Sequence, residues 1–181
     1  RKMKREDTVI ILGDFGGVWD YQGENRSEKY WLDWLERKPY TTVFVDGNHE
    51  NHVRLAEYPQ KEWRGGLVHE IRPHVLHLLR GEIFLIEELA FFAFGGASSH
   101  DIRDGILDPV KDAKLIKTWS RMPFKMFRVD GVSWWKEELP SEEELQRGRE
   151  NLKKHGNQVD YIITHSPSAS VVAMLGFGAG K

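Results

Sequence analysis

Four short apolar runs, Thr8 to Leu12, Thr41 to Val45, Leu89 to Phe94 and Val159 to Thr164, each end directly in a polar cluster. The clusters are Gly13-Asp14, Gly47-Asn48-His49-Glu50, Gly96-Ala97-Ser98-Ser99-His100-Asp101 and Thr164-His165-Ser166-Pro167. The runs are short and rich in β-branched or aromatic residues, so they read as buried strands. In open α/β sheets ligands bind beyond the carboxyl ends of strands, where loops bring distant residues into one cleft. Glycine beside the polar residues lets the backbone turn sharply and approach a ligand closely.

The segments between these runs supply a mixed fold. Asn25 with Glu28 three residues later has capping-box spacing, and Tyr30, Trp31, Trp34 and Leu35 predict a helical stripe ending before Pro39. Val75 to Leu78 and Ile83 to Ile86 are further strands, and the breaks at Arg80-Gly81 and Glu87-Glu88 predict antiparallel hairpin pairing from Val75 through Phe94. Asp101 to Pro140 reads as helix and loop. Ser141 with Glu144 opens a second capped helix, which Lys153, Lys154 and His155 suit at its last turn and Gly156 stops.

A chain of 181 residues, 40% hydrophobic and 30% charged, is the size and composition of one globular domain. Its 26 basic and 28 acidic side chains leave a formal net charge of -2, which gives no broad field for a polyanion, so nucleic acid is not an expected partner. No apolar run approaches the roughly 20 residues of a membrane helix, and a cytoplasmic location is the simplest expectation. The absence of cysteine restricts any metal to histidine, carboxylate or amide oxygen. Asp14, Asn48 and His165 make such a mixed set. A carboxylate can bridge two cations, an amide carbonyl adds neutral oxygen, and imidazole suits zinc, iron or manganese. His49, beside Asn48, is then free to donate a proton near the metal, where a cation pair would clamp a phosphoryl oxygen and activate water.

Gly13-Asp14, Gly47-Asn48-His49-Glu50 and Thr164-His165 resemble, in order and placement, the middle three signatures of the calcineurin-like metallophosphoesterases. Gly95-Gly96-Ala97, Ser99, Asp101, Trp134-Trp135 and Glu137-Glu138 further resemble a bacterial subset of that family. The resemblance implies an α/β fold in which a β-sandwich is flanked by helices in four layers, with two divalent metals (manganese, iron or zinc) at one edge. It implies that Asp14 is a bridging carboxylate, that Asn48 and His165 hold the second metal, and that His49 is the phosphate-binding acid. Ser99, His100 and Asp101 are the candidates to line the substrate side with His49. The family has two more signatures, an Asp-x-His strand and a Gly-His pair with a second histidine, and residues 1–181 contain neither. On that pattern the domain is incomplete, holds one metal or none, and is a folded but poor catalyst. The family also often has a carboxylate that orients the catalytic histidine, for which Asp20 is the candidate. The implied activity is hydrolysis of a phosphomonoester, phosphodiester or pyrophosphate by metal-activated water. The alternative is a phosphoesterase-like scaffold that has lost catalysis and holds a partner.

Simpler readings compete at each position. Asp46-Gly47-Asn48-His49 could be only a tight turn, because these residues tolerate left-handed angles, and the order of all the clusters decides against that. Ser98 to Asp101 is either a turn or a pocket wall, and not a hydrolase triad, whose members converge from separate segments. His69-Glu70 with His74 imitates a zinc-protease motif, but the histidines are five apart and Pro73 breaks the helix. Gly176 to Lys181 imitates a phosphate loop but lacks its first glycine and its Ser or Thr. His52, His74, His77 and His155 are expected on the surface or on strand faces. Trp31 and Trp34 are expected in the core, and Trp134-Trp135 in the core or at a cleft rim.

Overall fold

The computed structural model describes residues 2–176, so most of the glycine-rich end from Gly176 to Lys181 lies outside the described residues. The elements are β1 (Thr8–Leu12), α1 (Arg26–Glu36), β2 (Thr41–Val45), α2 (His52–Glu57), β3 (Gln60–Trp63), β4 (Gly66–Arg72), β5 (Val75–Leu78) and β6 (Glu82–Ile86). They continue with β7 (Leu89–Phe94), β8 (Gly105–Leu107), α3 (Ala113–Trp119), β9 (Phe127–Val129), α4 (Glu142–Lys154), β10 (Tyr161–Thr164) and α5 (Ala169–Met174). A 3-10 turn at Lys136–Glu138 precedes α4.

One sheet has the order β1-β2-β5-β4-β3, and a second has the order β10-β7-β6. β1, β2 and β5 run parallel, as do β7 and β10, while β3, β4 and the β6–β7 hairpin are antiparallel. The sheets face each other across Val43, Val45, Val68, Leu76, Leu78, Phe84, Ile86, Ala93 and Ile163. Side chains alternate along a strand, so Phe44, between Val43 and Val45, points the other way. There it joins Val18, Leu32, Leu55, Ile71 and Val75 beneath α1 and α2. This explains why β2 is buried along its whole length. On the far side of the second sheet α4 packs over β6, with the Asn151 amide donating to the Gly81 carbonyl at 2.9 Å. The result is the four-layer sandwich expected from the sequence. A small parallel pair, β8 with β9, stands apart from both sheets.

Both capping boxes form, at Asn25–Glu28 and at Ser141–Glu144. The buried face of α1 differs from the expected stripe. Glu28 and Leu32 are buried and Leu35 packs beside them, while Tyr30 and Trp31 are 57% and 53% exposed. The reason is Glu28, whose carboxylate accepts from the Trp19 and Asp20 amides at 2.6 and 2.7 Å and from Arg54 at 2.9 Å, and so rotates its own side of the helix inward. The pairing expected across Arg80-Gly81 also fails. β5 joins β2 and β4, and the chain then crosses to the other sheet, because Arg80 is buried against Asp46 instead of sitting in a hairpin turn. The hairpin at Glu87-Glu88 does form, and both residues take positive φ (50° and 67°), the backbone twist a two-residue turn requires. Among the described residues no helix is long and apolar enough to cross a membrane.

Candidate functional site

The two parallel pairs put the carboxyl ends of β1, β2, β7 and β10 at one edge of the sandwich. His165, the residue after β10, closes the gap between the sheets: its Nδ1 lies 2.7 Å from the Leu12 carbonyl oxygen. That oxygen can only accept, so Nδ1 carries the proton. The other ring nitrogen, Nε2, faces Asp14, with 3.4 Å between Nε2 and Oδ1. Asp14 Oδ1 also accepts from the His49 backbone N–H at 3.2 Å. Such close approach depends on two glycines. A Cβ on Gly13 would overlap the His165 ring, and one on Gly47 would overlap the Asp14 carboxylate.

Asn48 is 6% exposed, and its amide orientation follows from its neighbours. The Ser99 hydroxyl donates its one proton to Glu138 Oε2 at 2.6 Å, while the Ser99 amide donates to Oε1 of the same carboxylate at 2.9 Å. Ser99 Oγ must then accept from Asn48 Nδ2, 3.3 Å away, which leaves the Asn48 carbonyl oxygen free to face elsewhere. Ser99 is thus engaged in holding Asn48, whereas His100, on the same loop, is exposed.

His49 is exposed, and its ring stacks on Trp19 with centroids 5.5 Å apart. Trp19 is braced edge-on by buried Trp135 at 5.3 Å, which puts that tryptophan in the core beneath the site. Asp20 does not reach His49; its carboxylate accepts from Gln22 N and Asn25 Nδ2 and shapes its own turn. The group on His49 is Arg128, whose NH2 nitrogen lies 2.9 Å from Nε2. The Nε of Arg128 donates to Asp101 Oδ1 at 2.7 Å. Burial alone would raise the Asp101 carboxyl, but the Arg128 guanidinium outweighs it and holds it below the usual range.

Two buried carboxylates underlie the loops. Glu50 is wholly buried, accepts from Gly47 N at 2.5 Å and Gly16 N at 3.3 Å, and so ties the loop after β1 to the loop after β2; burial first, and then Asp46 and Asp14, push its carboxyl up. Asp46 accepts from His77 Nε2 at 3.1 Å and from Arg80. Burial would raise the Asp46 carboxyl, but the His77 hydrogen bond and the Arg80 charge hold it well below the usual carboxylate range. His52 and His77, expected at the surface or on strand faces, are both buried at this cluster, His77 on β5 and His52 on α2. The same cluster lines a cavity of about 590 Å³ with Gln60, His69 and Arg147.

Among the described residues no group of three or more histidines and acids lies close enough together to hold a metal. The donors at the strand ends still suit one cation. Asp14 Oδ1 and His165 Nε2 approach within 3.4 Å, carboxylate and imidazole are both ligands for a first-row divalent cation, and the Asn48 side-chain oxygen, not used by Ser99, is one loop away. They do not suffice for two.

Comparison with protein families bears on the whole chain. A family model, Calcineurin-like phosphoesterase, matches residues 1–177. Searches of curated proteins and of solved structures give no match. With a match that runs from the first residue through β10 and α5, and so takes in all four loops, the chain belongs to the calcineurin-like phosphoesterase family.

Proposed function

We propose that this chain hydrolyses a phosphoester, whether a phosphomonoester, a phosphodiester or a pyrophosphate, at the edge where Asp14, Asn48 and His165 meet. The observation that supports this most is the approach of His165 Nε2 to Asp14 Oδ1 at 3.4 Å, within a glycine-lined gap. A divalent cation bound there would supply Lewis acidity toward a phosphoryl oxygen. Asp14 and His165 would hold it, with the Asn48 side-chain oxygen, which the Ser99–Glu138 contact leaves free, beside them.

The remaining work falls to His49. Its Nε2 accepts from Arg128, so in the neutral ring the proton sits on Nδ1, and that N–H is the donor available to a phosphoryl or leaving oxygen. His100, exposed beside the buried Ser99, and the partly exposed Asp101 would line the substrate side of the cleft.

The test is release of phosphate or nitrophenol from mono-, di- and pyrophosphate esters with added manganese and with chelator. Turnover that requires the metal supports the reading. No turnover on any of the three ester classes, in a chain shown to be folded, would contradict it and favour the partner-binding scaffold.

A further inference from the structure

Arg128 on β9 is far from the four strand-end clusters in sequence, yet it is 5% exposed and touches three of the segments around the site. Its Nε donates to Asp101 Oδ1 at 2.7 Å, its NH1 to the Asn48 and Ser133 carbonyls at 3.3 and 3.0 Å, and its NH2 to His49 Nε2 at 2.9 Å. We infer that Arg128 is a positioning residue that fixes the ring orientation and the proton location of His49. The inference rests on the phosphoesterase reading for its consequence, though not for its geometry.

A guanidinium carries five N–H groups and no acceptor, and it stays charged in proteins, so the imidazole nitrogen that it faces must accept. The Nε2 atom of His49 is therefore bare, and the proton of the neutral ring is forced onto Nδ1. Free neutral histidine side chains favour the opposite tautomer, so the contact imposes a choice. Trp19 fixes the ring plane from its face, and the Asn48 backbone carbonyl, held by the same guanidinium, fixes the backbone that carries the ring. Asp101 and Ser133 in turn hold the guanidinium in its own plane. A lysine could not replace it, because one ammonium cannot reach acceptors on so many segments.

Tying the segment between Asp101 and Ser133 to the sheet would be a purely structural role, and one measurement separates the two. Long-range ¹H–¹⁵N correlation spectra of the whole 181-residue chain, metal-free and at a pH above the ordinary histidine range, report which ring nitrogen of His49 bears the proton. The expected result is the Nδ1–H form in the wild type and a shift toward the Nε2–H form in Arg128→Met and Arg128→Lys. An Nε2–H form in the wild type would overturn the inference whether or not the variants fold. So would an unchanged Nδ1–H form in folded Arg128→Met. The kinetic counterpart is a loss of kcat of about 10–100-fold in Arg128→Met, the usual effect of removing a group that orients a functional side chain. That loss should disappear in a His49→Ala background, whereas a structural role would add to it. If no variant and no wild type turns over, the phosphoesterase reading fails while the tautomer result still decides the role of Arg128.

Discussion

His49→Ala is expected to lower kcat on a generic phosphoester by about 10²–10⁴-fold while leaving the bound metal unchanged, the range for removing one positioned proton or hydrogen-bond donor. The two effects separate because the His49 side chain is not among the proposed ligands. Its ring stacks on Trp19 and binds Arg128, and only its backbone N–H touches Asp14. Alanine keeps that backbone donor. Steady-state kinetics together with metal analysis by mass spectrometry give the answer. A variant with wild-type kcat, or one that loses its metal, contradicts the role given to the ring.

The second large effect is on stability. Asp46→Ala should cost about 3–5 kcal/mol, the usual penalty for stripping the partner from a buried charge, and lower the melting temperature by on the order of 10 °C. Arg80 is 4% exposed and donates to Asp46 through two nitrogens, and its bond to Glu144 at 3.1 Å would remain. The loss extends along a chain of donors. The Gln60 amide stands 3.3 Å from His69 Nε2, His69 Nδ1 is 3.1 Å from His77 Nδ1, and His77 Nε2 donates to Asp46, so each ring depends on the next acceptor. Adding Arg80→Met to Asp46→Ala should restore part of the stability, because no unpaired charge is then buried. A melting temperature unchanged by Asp46→Ala would mean that the network stabilises nothing.

The same cluster sets an acid limit. Burial lowers His52 and His69 from 6.5 to about 4 each, so between those values the unfolded chain binds protons that the folded chain refuses. Stability therefore falls as pH drops through that window, and the lowered Asp46 carboxyl carries the loss further below its ordinary value.

What the sequence made legible was local. β1, β2, β6, β7 and the two capped helices follow from short apolar runs and from Asn25–Glu28 and Ser141–Glu144, each within a few residues. The four loops were legible for the same reason, because each begins where an apolar run stops. What joins them was not. Arg128 and His49 are 79 residues apart, and Asp46 and Arg80 are 34 apart, in segments with no pattern to pair them. β8 and β9 are three residues each, too short for a period to show, and β3 and β4 carry charged residues that hide their alternation. Trp31 misled because a helical stripe of aromatic rings looks like a core face. The actual face was chosen by Glu28, whose partners lie on the loop before α1 and on α2.

The central claim, that a divalent cation sits between the loops after β1 and β10, is open to one direct measurement. Manganese added to the ¹⁵N-labelled chain broadens the resonances nearest to it. The expected broadening centres on Gly13, Asp14, Gly47 and His165 and is lost in Asp14→Ala. Broadening centred on the buried His52, His69 and His77 cluster, or broadening at the strand ends that survives Asp14→Ala, would contradict it.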